Sequence, residues 1–166
     1  MLPEKHELNT LWTDSATNQV IGYLAYDLWF LLHHAQLAAS HSASISNEVA
    51  VCDWSFLSDR IWAQMRLKDD LSLYEDVHRT LLQRVGSPIG YLYLRQRPAA
   101  VLDRVKRRGR QGESGFFSQM RKAVRLLDEV VESLPPQMVM TVLDKTSVPQ
   151  VDEQVAHWLK ERVDVS

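Results

Sequence analysis

Apolar positions along the chain follow two patterns: long stretches with helical spacing, and short continuous runs. Residues 17 to 39 form the first long stretch, which contains no proline and predicts a helix. Residues 55 to 65 have a second helical pattern. The stretch that follows has apolar side chains at spacings of three and four, as in an amphipathic helix, at Leu71, Tyr74, Val77 and Leu81. Gly86, Ser87 and Pro88 are predicted to end that helix.

Proline positions mark the helices of the second half. Pro98 is predicted to begin a helix, and residues 115 to 134 form another amphipathic stretch that ends at Pro135 and Pro136. A last helix has Pro149 in its first turn, where proline is well tolerated.

Three short apolar runs between these helices have the length and composition of strands. They are "VAVCDW", "IGYLYL" and "MVMTVLD", which begin at residues 49, 89 and 138. Strands that alternate with helices predict an α/β fold, a parallel sheet with flanking helices. With 166 residues, the chain is predicted to form a single domain over residues 1–166.

Composition excludes several classes of protein. The formal net charge is −2, which gives no bulk attraction to nucleic acid, and no apolar run has the length of a membrane span. The amino terminus lacks a secretory pattern, so we expect a cytoplasmic protein without a membrane or nucleic-acid partner. The single cysteine, Cys52, allows no internal disulfide and is predicted to be a buried core thiol.

Polar residues that directly follow the predicted strands are the first candidates for chemistry, because ligands bind at the carboxyl ends of parallel strands. Asp53, Arg95, Arg97 and Asp144 have such positions. Asp53 could hold a metal-bound water or a substrate hydroxyl. It could equally cap the helix that begins near Ser55.

A basic segment follows the second predicted strand, with cationic side chains at Arg104, Lys106, Arg107, Arg108 and Arg110. Most such runs are solvated helix faces. A glycine within this run, at position 109, would end the helix and free the next arginine to close over a phosphoryl group.

One face of the first predicted helix combines aromatic and polar side chains, at Tyr23, Asp27, Phe30 and His34. This face would suit an aromatic-lined base pocket. The two aromatic residues could equally belong to the core, and the pattern favours a surface or interface position for His34.

Two segments together resemble the deoxynucleoside kinase family. "VCDWSFLSDRIWA" is similar to that family's acidic D/E-x-S motif with a following arginine, and "YLYLRQRPAAVLDRVKRRGRQGE" is similar to its YLR-x-x-P strand and arginine-rich lid. "WTDSATNQVIGYLAYDLWFLLHHAQ" resembles its substrate-binding helix. The resemblance implies a P-loop nucleoside-kinase fold that transfers the γ-phosphate of ATP to the 5′-hydroxyl of a deoxynucleoside with Mg²⁺.

The resemblance also implies roles for individual residues. Asp53 would be catalytic and would stand near the magnesium ion, and Arg60 would lie near the 5′-oxygen of the substrate. The substrate helix would contribute base contacts. The lid arginines Arg104, Arg108 and Arg110 would neutralise the charge of the transferred phosphoryl group. Glu113 would close the lid on the sugar side. Arg108 and Arg110 would be the ATP contacts.

Departures from the family pattern shape what we expect of the activity. The sequence contains no G-x-x-x-x-G-K-S/T loop, so we expect the first strand and its phosphate cradle to be missing and the domain to be amino-terminally incomplete. Asp27 takes the place of the base-reading glutamine, and Trp54 stands where relatives often have arginine. An ionised Asp only accepts hydrogen bonds, which predicts a changed base preference.

Three interpretations therefore remain open. The chain is a shortened form of a working kinase, an inactive remnant that binds a nucleoside or a protein partner, or a polyanion-binding module that uses its basic helix. The family resemblance also implies a homodimer through helices equivalent to residues 17 to 39 and 61 to 84.

Overall fold

A computed structural model describes residues 9, 11, 22–44, 49–109, 117–143 and 148–163. These residues form a mixed α/β structure that is mostly helical and contains a two-stranded parallel sheet. Contacts within the chain divide it into two compact units, Met1–Ser87 and Pro88–Ser166, called here the amino-terminal and carboxy-terminal units.

The described part of the amino-terminal unit contains three helices: α1 (Leu24–Ser44), α2 (Phe56–Arg66) and α3 (Leu71–Val85). Their apolar faces meet in a core formed by Leu31, Ala35, Phe56, Ala63, Leu67 and Tyr74. The predicted first helix is confirmed from Leu24 onward, but its predicted extension through residues 22 and 23 is wrong, since Gly22 has a φ of 72°, which is not a helical value. Residues 17–21 lie outside the described part of the chain. The predicted end of this helix at residue 39 is wrong, since the chain between there and Ser44 holds neither proline nor glycine to stop the helix.

Ser55 caps the amino terminus of α2. Its hydroxyl accepts a hydrogen bond from the backbone N–H of Ser58 at 3.1 Å, and the Ser58 side chain accepts one from the backbone of Ser55, which completes a capping box. The alternative that Asp53 caps this helix is therefore wrong. Gly86 ends α3 with a φ of 86°, a backbone conformation that favours glycine.

The predicted strand at residues 49–54 is wrong. An isolated bridge at Cys52 is its sole strand-like feature, and Val49 and Val51 are exposed. A strand needs a ladder of hydrogen bonds with a neighbour, and the described residues of this unit contribute only helices. Cys52 is half-buried rather than a core thiol, and burial still raises its pKa.

The carboxy-terminal unit contains β1 (Tyr91–Arg95), α4 (Pro98–Arg108), α5 (Met120–Ser133), β2 (Val139–Leu143) and α6 (Val148–Val163). The two strands pair in parallel, as predicted, with Tyr91 opposite Val139. Pro98 begins α4, as predicted. The prediction of a last helix with a proline in its first turn is also confirmed.

Polar contacts and one tight packing site hold the helices of this unit to its sheet. The Tyr93 hydroxyl donates to an Asp128 carboxylate oxygen on α5 at 2.8 Å, and Arg95 forms ion pairs with Asp128 and Glu132. A Cβ at Gly90 would lie 2.5 Å from the Trp158 ring of α6, so only glycine allows this approach. None of the described helices is long and apolar enough to cross a bilayer.

Candidate functional site

Helices α1 and α2 are joined by a buried ion pair at one end of their contact. The guanidinium of Arg66 donates from Nε to Asp27 Oδ2 at 3.2 Å and from Nη2 to Asp27 Oδ1. The Asp27 side chain is 3% exposed and the Arg66 side chain 8% exposed. Because both groups are desolvated, each charge depends on the other for its compensation.

A second polar pair joins the same two helices. His34 Nδ1 lies 2.7 Å from Asp59 Oδ2, with the histidine buried and the carboxylate nearly so. The indole of Trp54 stacks on the His34 ring at a centroid distance of 4.2 Å and an interplanar angle of 2°. The imidazole is therefore fixed at its edge by the carboxylate and on one face by an aromatic ring.

The Asp27–Arg66 and His34–Asp59 pairs are called here the ladder. The acid of the first pair lies on α1, and the acid of the second lies on α2. Asp27 and His34 are seven residues apart on α1, and Asp59 and Arg66 are seven residues apart on α2. Seven residues are two helical turns, so each pair of positions lies on one face. Since Asp27 meets the later residue of α2 and His34 the earlier one, the two helices run antiparallel. A parallel arrangement would bring the two acids together.

Aromatic rings surround the guanidinium of Arg66. Its Cζ lies 4.9 Å from the ring centroid of Tyr26, 5.2 Å from that of Trp62 and 5.8 Å from that of Tyr23. Such distances allow cation–π attraction, which is strongest away from water. Phe30 continues the aromatic set, with its centroid 5.3 Å from that of Tyr26.

Burial dominates the electrostatics of this cluster. Burial raises the pKa of Asp27, and the guanidinium of Arg66 opposes the rise. Burial also raises the pKa of the Tyr74 phenol, and the charges of Asp59 and Asp27 raise it further. The Tyr74 hydroxyl therefore stays protonated and lies within reach of the field of both acids.

Of the predicted base-pocket residues, Asp27, Phe30 and His34 lie on α1, and Tyr23 directly precedes this helix. Asp27 is buried in its ion pair, Phe30 is 7% exposed and Tyr23 is half-buried. The surface or interface position favoured for His34 is wrong, because this side chain is 1% exposed within the single chain. Its hydrogen bond to Asp59 compensates for the desolvation of the imidazole.

Arg60 lies on the exposed side of α2 and pairs with α3. Its Nε and Nη2 donate to Glu75 Oε1 at 3.1 and 2.9 Å, and this hydrogen bonding lowers the pKa of Glu75. The predicted contact of Arg60 with a substrate oxygen stays a prediction. To make this contact, the guanidinium of Arg60 would have to leave the Glu75 carboxylate and bind the substrate instead.

Asp53 is exposed at the start of the segment that leads into α2. Within the described ranges, no group of three or more His, Cys, Asp or Glu side chains could hold a metal ion. Magnesium is commonly held by one or two carboxylates together with substrate phosphates, so Asp53 fits as a single ligand and no more.

The predicted lid lies in the carboxy-terminal unit. Arg104 and Arg108 are exposed on α4, and Gly109 ends this helix with a φ of 63°, as predicted from its position in the basic run. Arg110 and Glu113 lie outside the described residues. The predicted contact of these arginines with ATP stays a prediction.

Four residues of the helical cluster were not predicted from the sequence: Trp54, Asp59, Arg66 and Tyr74. The seven-residue spacing of Asp59 and Arg66 is the sequence signal that could have revealed these contacts. It places two charged residues on the same face of α2 as the buried Ala63. Matching it with the same spacing of Asp27 and His34 would have indicated both pairs.

No protein-family model matches the chain, and no curated protein is significantly similar to it.

Proposed function

We propose that this chain is a deoxynucleoside kinase-like protein whose amino-terminal unit holds the nucleoside against the α1 and α2 faces that carry the ladder. For a form of the protein that also contains a phosphate-binding loop, we propose that it transfers the γ-phosphate of ATP to the 5′-hydroxyl of the nucleoside. A P-loop kinase fold and a cytoplasmic location are part of the same proposal. The observation that carries it is the presence of two buried acid–base pairs among aromatic rings.

Stability alone gives a poor reason for these pairs. Replacing a buried ion pair by apolar side chains of similar volume is often neutral or stabilising. A three-helix core could therefore be filled with apolar residues at Asp27, His34, Asp59 and Arg66. Titratable groups concentrated at one buried place are typical of functional sites, and burial raises the pKa of two members of this cluster, Asp27 and Tyr74.

The chemistry of the cluster suits a nucleobase. Carboxylate oxygens accept hydrogen bonds and the guanidinium and imidazole donate them, which matches the mixed donor and acceptor edge of a base. Aromatic rings provide the flat apolar surfaces on which a base stacks. Phe30 on α1 and Tyr23 directly before this helix supply such rings.

The lid supports the phosphoryl-transfer part of the proposal. Arg108 occupies the last turn of α4, and the left-handed Gly109 redirects the backbone immediately before Arg110. Positioned cations stabilise the charge of a transferred phosphoryl group. These residues would act on the phosphates.

The test is calorimetric titration of the purified chain with each of the four deoxynucleosides. We expect at least one to bind, and we expect Asp59→Asn to weaken that binding at least about tenfold, because a charged hydrogen-bond partner is lost. Asp76→Asn is the matched control, since Asp76 pairs with Arg79 on the exposed face of α3. No binding by the wild-type chain, or equal weakening by both variants, would contradict the proposal.

The basic last turn of α4 favours a second candidate, a polyanion-binding module. Lys106, Arg107 and Arg108 are all exposed, and consecutive cations can contact several phosphates. This candidate predicts binding of heparin or single-stranded DNA whose affinity falls steeply with salt. Tight, salt-sensitive binding of these polymers without any deoxynucleoside binding would favour it over the kinase-like proposal.

A further inference from the structure

Tyr74 has a buried hydroxyl that the helical core leaves without a protein partner. The side chain is 0% exposed at the centre of the three helices. Among the described residues, no side chain or backbone group hydrogen-bonds to its hydroxyl oxygen. Such groups are rare in folded proteins, because a buried hydroxyl without a hydrogen-bond partner is destabilising.

The acids whose fields reach this hydroxyl already have partners. Asp27 accepts hydrogen bonds from Arg66, and Asp59 is bonded to His34. The charges of both acids act on the Tyr74 phenol, and so does the guanidinium of Arg66. Tyr74 also belongs to one core cluster with Leu31 and Ala63, which lie between the ladder positions on α1 and α2.

The chemistry of Tyr74 limits what it could bind. A protonated phenol is a hydrogen-bond donor, and the two neighbouring carboxylates disfavour an anion at this place. A neutral acceptor is the suitable partner, such as a carbonyl oxygen or a ring nitrogen of a nucleobase. Phosphate is the wrong partner, which separates this group from the cationic lid.

We propose that Tyr74 is a specificity-determining residue whose hydroxyl donates to an acceptor atom of the bound base. This inference rests on the proposed function. In the free protein the hydroxyl has no partner among the described residues, and in the complex the base would supply one. Tyr74 would therefore lower the stability of the free protein and raise its affinity for the ligand.

The experiment compares Tyr74→Phe with the wild-type chain in two measurements, thermal unfolding and titration with each deoxynucleoside. We expect the variant to unfold about 2 to 4 °C higher when free, because an unsatisfied group is removed. We also expect its affinity for the preferred deoxynucleoside to fall about three- to tenfold, since one hydrogen bond is lost.

The matched control is Tyr93→Phe in the carboxy-terminal unit, whose hydroxyl donates to Asp128 at 2.8 Å. Removing this bonded hydroxyl should lower the unfolding temperature and leave nucleoside binding unchanged. Opposite signs for the two Tyr→Phe changes would show that the assay separates a bonded hydroxyl from one without a protein partner.

Two results would overturn the inference in different ways. If the wild-type chain binds a deoxynucleoside and Tyr74→Phe binds it equally well, Tyr74 is not a ligand contact, and the proposed function stands. The inference also fails, with the proposed function intact, if the variant is less stable than the wild-type chain, because the Tyr74 hydroxyl is then bonded in the free protein. If the wild-type chain binds none of the four deoxynucleosides, the proposed function fails together with this inference.

Discussion

Removing one member of the Asp27–Arg66 pair should be far more damaging than removing both. Arg66→Met leaves the carboxylate of Asp27 buried without its counter-charge, and Asp27→Asn does the same to the guanidinium of Arg66. Breaking a buried pair in this way costs about 3 to 5 kcal/mol. Domains have a total stability of about 5 to 15 kcal/mol, so each single variant should be close to unfolding.

The double variant Asp27→Asn with Arg66→Met should regain most of this loss. It leaves no buried charge at this end of the α1–α2 contact, and the methionine still fills the space between the aromatic rings. Replacement of a buried pair by neutral groups is often neutral or stabilising. We therefore expect a coupling free energy of at least about 3 kcal/mol between the two positions.

The assay is urea unfolding followed by tryptophan fluorescence. Trp29, Trp54 and Trp62 all belong to the amino-terminal unit, so the signal reports mainly on the helices that carry the pair. The control is Arg79→Met, which removes an exposed partner of Asp76 and should change stability by no more than about 0.5 kcal/mol. Small, additive effects of the two core changes would refute the reasoning.

Three further changes test other parts of the account. Tyr93→Phe should destabilise the carboxy-terminal unit by about 1 to 3 kcal/mol in urea unfolding, because its hydroxyl donates to the charged Asp128. The hydrogen bond from Arg60 lowers the pKa of Glu75 from 4.5. The ionised Glu75 therefore stabilises the folded protein above about pH 4.5, and this stabilisation is lost as the pH falls further and the carboxylate is protonated. Glu75→Gln should reduce the loss of unfolding free energy between pH 7 and pH 3, and the same loss in the variant and the wild-type chain would contradict the assignment. Gly109→Ala should cost about 1 kcal/mol in thermal unfolding, because φ is 63° there, and Gly109→Asn should cost less.

Local signals predicted most of the helices and the parallel strand pair. Pro98 and Gly109 bracket α4 because one fits the first helical turn and the other a left-handed end. The strands β1 and β2 each coincide with one of the predicted apolar runs. These features depend on residues close together in sequence, which is why periodicity and turn chemistry reveal them.

Features that depend on distant partners were harder to predict. The run at residues 49–54 has the composition of a strand, yet composition cannot supply the neighbour that a strand needs. His34 was expected at the surface or at an interface, and its partner Asp59 lies 25 residues away. Asp27 and Arg66 are 39 residues apart, so the pair becomes visible only once α1 and α2 are packed.

Hydrogen exchange with and without saturating deoxynucleoside tests the central claim most directly, because it locates the bound ligand on the chain. We predict that one deoxynucleoside slows exchange at residues 24–35 of α1 and in α2, while exchange in α4 is unchanged without ATP. Slower exchange confined to α4, or no change in α1 and α2 with any of the four deoxynucleosides, would contradict the claim that the α1 and α2 faces bind the nucleoside.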